Sequence, residues 1–246
     1  MGNGNYVSLS LATALQHSID LAAHNMANAS TAGYKAMQPL FEAVEPEGEL
    51  TETSVSYVQD NGTYIDQSQG ALIATGNPLD LALSGPGWIG YETEGGNTAY
   101  GRDGRLTINA DGQLATLSGA PVLNPSGVPI TLPQALGQQI IITQDGDITD
   151  LEGTVLGQLG IFRMPDVNQM TPIGNGLYLI DGAAGEVTPD ADTRISQGFI
   201  EQSNVQPIVE MTRLMDIQRA YERASKLMTD QNDLTKQAIQ RLGRVV

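Results

Sequence analysis

The 246-residue chain is long enough for one large domain, or for a domain with a smaller companion, and 12 Lys and Arg against 28 Asp and Glu give it a formal net charge of -16. An acidic balance of this size disfavours nucleic-acid binding, which needs clustered cations to displace counterions. The absence of cysteine excludes disulfides, thiol nucleophiles, thiolate zinc sites and iron-sulfur clusters.

Hydrophobic residues make up 40% of the chain but aromatics only 5%, and there are 28 Gly, a balance that favours small, turn-rich β structure over a large aromatic core. The acidity is central. Residues 1 to 40 hold one base, Lys35, and one acid, Asp20, while residues 205 to 246 hold seven bases and five acids. The first thirty residues show no basic leader followed by a continuous apolar stretch and a small-residue cleavage site, so Sec-type export is not expected. No run of about 18 apolar residues calls for a transmembrane helix.

From Tyr6 to Ala29 neither Pro nor Gly interrupts the chain, and Ala12, Leu15, Ile19, Ala22, Met26 and Ala29 recur in steps of three and four. That is the rhythm of a helix whose seam faces another helix. Asn25, Asn28, Thr31 and Gly33 are expected to end the helix and redirect the chain, either by local capping and turn formation or by bonds to a neighbouring subunit. Residues 36–70, acidic at Glu42, Glu45, Glu47, Glu49 and Glu52 and then polar, read as an extended connector. It is either a flexible linker or an arm that orders during assembly.

From residue 71 to 202 short apolar runs alternate with turn signals, among them Asn77-Pro78, Asp111-Gly112, Ser126-Gly127, Asp145-Gly146 and Asp181-Gly182. Leu79 to Leu83, Leu106 to Ile108, Gln139 to Thr143 and Leu177 to Ile180 have strand length and composition, which predicts a compact β domain rather than βαβ units. Beyond Pro207 the helical pattern returns, with Leu214, Ile217, Tyr221, Ala224 and Met228 in one stripe and Leu227, Leu234 and Ala238 in an adjacent one. The fold class is therefore α+β. Residues 1–35 and 203–246 supply long helices that pair in a coiled-coil-like helical domain, 36–70 a connector, and 71–202 a central mainly-β domain. A helix pair satisfies two stripes and leaves the third exposed, which implies either aggregation or a partner.

Specific motifs then carry a family resemblance across nearly the whole chain. The run from Ala23 to Lys35, with Asn25, Asn28, Thr31, Gly33, Tyr34 and Lys35, resembles the N-terminal signature of flagellar rod and hook proteins. The segment Thr75-Gly76-Asn77-Pro78-Leu79-Asp80 is similar to the lead into that family's β domain, and Tyr100-Gly101-Arg102-Asp103-Gly104 follows in the expected order. Glu201-Gln202-Ser203-Asn204-Val205, then Glu210-Met211 and Arg219-Ala220-Tyr221-Glu222, resemble its C-terminal signature. His24 and Gln206 stand where the family commonly has Asn, and Trp88-Ile89 where it has two aromatics. Length and the short connector resemble a short-connector branch; the distal-rod branch is the alternative.

The resemblance implies a structural subunit of the periplasmic rod that joins the motor to the hook. It implies export as an unfolded chain by the flagellar type III apparatus without a cleaved signal, and proximal and distal rod proteins and copies of itself as partners. Terminal helices would form an inner tube, with Leu15, Ile19, Met26, Leu214, Ile217, Tyr221 and Met228 as packing residues. No cofactor and no catalytic or metal-binding residue is expected. A carboxylate pair for glycoside hydrolysis is the enzymatic alternative, but the acids here cluster at Gly-containing turns, where Asp is favoured for backbone reasons. His17 and His24 lack further ligands for a metal. Asp145 to Asp150 only faintly resembles a calcium loop, having its Gly misplaced and no closing Glu. An acidic soluble binding module is a third reading, which leaves the long helices without a task.

Overall fold

The computed structural model describes residues 3–44, 57–133, 139–180 and 185–242. Glu45, Glu47, Glu49 and Glu52 of the acidic connector and the Asp181-Gly182 turn lie outside them. The chain is α+β, with one helix at each end of the described residues and a mostly β centre. It divides into two compact units: a helical unit of residues 1–27, 37–64 and 206–246, and a β unit of residues 28–36 and 65–205.

In the helical unit, α1 spans Asn3–Ala27 and α2 spans Pro207–Leu242, and the two lie against each other. Pro207 sits where a helix tolerates a missing N–H. Glu210 in the first turn and Arg241 in the last complement the helix dipole. Within the stretch read as a connector, β1 (Met37–Val44) and β2 (Tyr57–Ile65) pair as a two-stranded sheet, and β1 runs beside α1.

The β unit opens with β3 (Leu72–Ala74), β4 (Asp80–Ser84), β5 (Trp88–Glu92), β6 (Thr98–Gly101), β7 (Gly104–Ile108) and β8 (Leu114–Thr116). It continues through β9 (Ile140–Ile142), β10 (Asp147–Asp150), β11 (Val155–Gln158), β12 (Ile161–Arg163), β13 (Met170–Gly174) and β14 (Leu177–Ile180), and ends with β15 (Thr188–Pro189), β16 (Arg194–Gln197) and β17 (Phe199–Glu201). The strands form a six-stranded sheet β13-β14-β6-β5-β12-β15, a four-stranded sheet β16-β4-β7-β8, a three-stranded sheet β11-β10-β9 and the ribbon β17-β3. The four apolar runs of strand length fall on β4, β7, β9 and β14. At the turns ending in Gly112, Gly127 and Gly146, each glycine has positive φ and donates its N–H to the carbonyl three residues earlier. Leu81, Leu83, Ile89, Tyr91, Leu114, Val122 and Ile148 lie in the main core, and Trp88, Tyr100, Phe162 and Tyr178 lead a second cluster. Antiparallel β16 on β4, in register from Arg194 with Ser84 to Gln197 with Leu81, brings the end of the β unit back to its beginning.

Candidate functional site

Two constellations stand out, one inside each unit. In the β unit, segments from three distant parts of the chain meet at Glu201, the last residue of β17. Its carboxylate is fully buried, Oε1 accepting from Lys35 Nζ at 2.7 Å and from the Gly70 amide at 3.0 Å, and Oε2 from Arg102 Nε at 2.9 Å. Lys35 also donates to the Ser68 carbonyl. Arg102 also donates to the carbonyls of Leu83, Gly85 and Gly87, and its guanidinium lies 5.9 Å from the Trp88 ring. One carboxylate thus faces two buried cations. Burial and the neighbouring Arg102 charge lower the Lys35 pKa below its ordinary 10.5, against the opposing pull of Glu201.

The approach of these segments dictates their glycines. Gly33 has φ +68, and a Cβ there would stand 2.3 Å from the Arg102 carbonyl carbon. Its amide donates to the Glu201 carbonyl at 2.8 Å. At Gly70 a Cβ would lie 1.9 Å from the Gln202 carbonyl oxygen. Neither position can carry a side chain without moving backbone. Asn204 completes the arrangement: Oδ1 accepts from the Ala36 amide at 2.7 Å and Nδ2 donates to the carbonyls of Asp66 and Ser68. Tyr34, Ala36 and Val205 pack beside it, and Ser203 Oγ accepts from the Val205 amide.

Other motif residues form turns and end the helix. Asn77 accepts from the Leu79 amide and donates to Asp80, and the Asp80 carbonyl accepts from Gly198. Gly76, at φ +73, donates to the Gly198 carbonyl, and the Pro78 carbonyl accepts from Gln197. In the helical unit, buried Asn25 exchanges both bonds of its amide with the backbone N–H and carbonyl of Met37, which fastens the end of α1 to the start of β1. Thr31 bonds Asn28 through both hydroxyl and amide.

On α1 the deeply buried positions are Ala12, Ala14, Ser18, Ala22 and Asn25, while Leu15, Ile19 and Met26 are half-buried. Small residues here allow a close helix approach, and periodicity that favours large apolar residues passed over Ala14 and Ser18. On α2, Leu214, Ile217, Tyr221 and Met228 are half-buried, and Ala224 and Glu210 are buried. The remaining positions of α2 are mostly polar, but Leu227 and Leu234, seven residues apart and therefore on one side of the helix, are 57% and 65% exposed; Ile208, Met211, Met215 and Ile239 are also exposed, on other sides. A groove of about 600 Å³ lies within the same unit, lined by Tyr6, Leu9, Thr13, Tyr57 and Val58 among others.

Among the described residues no group of three or more His, Asp or Glu is placed to hold a metal, and no helix is long and apolar enough to cross a membrane. Asp145 pairs with Arg194, and Asp150 accepts from the amides of Glu152 and Thr154, closing its turn. His17 Nδ1 meets Asp60 at 2.6 Å.

Long terminal helices, a β centre and the motifs gathered at Glu201 define the class of flagellar rod and hook proteins. Residues 196–241 match the family "Flagellar basal body rod FlgEFG protein C-terminal", and residues 82–150 match "Flagellar hook protein FlgE/F/G D1 domain". The flagellar basal-body rod protein FlgF of Caulobacter vibrioides is 37% identical over 249 residues, covering 100% of both chains, and that of Mesorhizobium japonicum is 36% identical, covering 99% of each. FlgG of Agrobacterium fabrum is 32% identical over 90% of this chain and 92% of its own. The chain belongs to the FlgF family of flagellar basal-body rod proteins.

Proposed function

We propose that the chain is a non-enzymatic structural subunit of the flagellar basal-body rod, which joins copies of itself and proximal and distal rod proteins in the torque-transmitting periplasmic shaft. In this reading it reaches the periplasm through the flagellar type III apparatus. α1 and α2 pair in coiled-coil fashion, and helices of successive subunits pack side by side around the export channel. The observation that carries this reading is the exposed apolar stripe of α2 at Leu227 and Leu234. Burying each large side chain contributes roughly 1.5–3 kcal/mol, so Leu227 and Leu234 together can contribute substantially to a subunit contact. Leu15, Ile19, Met26, Leu214, Ile217, Tyr221 and Met228 then belong to the seam that pairs the two helices and presents the outer face.

The test is the double substitution Leu227→Asp with Leu234→Asp. Both positions are solvent-exposed in the single chain, so the Trp88 emission of the purified variant should match the unsubstituted protein. The variant should nevertheless be missing from isolated basal bodies, and cells relying on it should not swim. Normal incorporation and swimming would refute assembly through this face.

A further inference from the structure

The chain passes into or out of the β unit four times, entering at residues 28 and 65 and leaving after residues 36 and 205. The three segments that carry these passages are tied to one another inside that unit. The 28–36 segment is held by Gly33 N–H on the Glu201 carbonyl, Lys35 on the Glu201 carboxylate and Ala36 N–H on Asn204. The segment beginning at 65 is held by Asp66 N–H on the Ala36 carbonyl, the Ser68 carbonyl on Lys35 and Asn204, and Gly70 N–H on Glu201. The last segment supplies Glu201 and Asn204 themselves, and the Asn204 amide returns to the Tyr34 carbonyl. Arg102 anchors the assembly to the sheet through Glu201 and three backbone carbonyls.

We propose that Glu201 and Asn204 form a lock that joins these three segments as one cooperative element, and that this element opens without unfolding the β core. A pull on any one segment is then resisted by the other two. The lock also cannot close until residue 201 is in place, since Lys35 and Arg102 share that single carboxylate. A buried pair of cations without its anion is strongly unfavourable, so the 28–36 segment stays undocked in any chain that lacks its C-terminal part. The inference does not depend on the assembly reading, because every contact it uses lies within the β unit.

Amide hydrogen exchange on the full chain tests it with two substitutions in different parts of the lock. Asn204→Ala removes partners of Ala36, Asp66 and Ser68 but none of Gly33 or Gly70. If the element is cooperative, Gly33 and Gly70 should still exchange about 10-fold faster or more, in step with Ala36 and Asp66. Glu201→Gln should raise the same four amides together by a larger factor. In both variants the core amides of Leu114, Val122 and Ile130 should keep their rates. A rise confined to Ala36 in Asn204→Ala would overturn the lock, as would an equal rise at the core amides. Asn204→Ala keeps the ion cluster intact, so the test stands even if Glu201→Gln does not fold.

Discussion

The charge imbalance at Glu201 predicts an asymmetric double-mutant cycle. Glu201→Gln keeps the shape of the side chain but removes the only carboxylate paired directly with Lys35 and Arg102, 1% and 3% exposed, leaving Lys35 the weaker, more distant pull of Asp66. Breaking a buried ion pair from one side costs about 3–5 kcal/mol, and two cations are stranded here, so the upper part of that range applies. Lys35→Met removes one cation and leaves Arg102 and Glu201 matched one to one. It loses the bonds to Glu201 and Ser68 but also the cost of burying an ammonium, and a net change within about 1 kcal/mol follows. The double variant strands only Arg102, so it should be more stable than Glu201→Gln by about 1–2 kcal/mol despite carrying an additional substitution. Urea titration followed by Trp88 emission suits the purpose, because the chain has a single Trp and it sits 5.9 Å from the Arg102 guanidinium. If Lys35→Met costs as much as Glu201→Gln, or if the double variant is less stable than Glu201→Gln alone, the account of one anion shared by two cations is wrong.

Three more outcomes follow from the same geometry. Between its lowered folded pKa and 10.5, Lys35 binds fewer protons in the folded than in the unfolded chain, so its contribution to stability improves as pH rises through that window. The unsubstituted protein should therefore gain on Lys35→Met over that interval, whereas above pH 10.0 both should lose stability, because burial pushes Tyr178 up to about 12. Gly33→Ala places a methyl group against the Arg102–Asp103 peptide in a left-handed conformation, and should cost about 3 kcal/mol in urea titration, combining backbone strain of about 1–2 kcal/mol with displacement of the Gly33 to Glu201 hydrogen bond. Amine acetylation of the three lysines should modify exposed Lys226 and Lys236 first and Lys35 at least ~100-fold more slowly, its reaction requiring the lock to open; comparable rates at all three would contradict its burial.

How much of this was legible beforehand differs by element. The runs on β4, β7, β9 and β14 could be read because alternating short apolar segments and Asp-Gly or Ser-Gly turns are local signals. The half-buried stripe of α2 and the uncovered Leu227 and Leu234 beside it follow from helical spacing over a few turns. The small residues of α1 were harder. Ala14 and Ser18 are buried more deeply than Leu15 and Ile19, because the distance to a neighbouring helix, which periodicity does not carry, decides whether a small or a large side chain fits. Pairing of β1 with β2 was also missed, since polar, Gly-containing β2 has little of the apolar alternation that marks a strand.

The sequence by itself determined the class of the chain: two long helical ends, an acidic β centre, the absence of thiol chemistry, and motifs that identify the rod and hook family. Only the tertiary structure decided what those motifs do. Lys35 and Glu201 are separated by 166 residues and Arg102 and Glu201 by 99, and nothing in local spacing pairs a charge with a partner that far away. The return of β16 and β17 onto β4 and β3 brings them together, and burial then makes the pairing obligatory, since an ammonium and a guanidinium withdrawn from water require an anion.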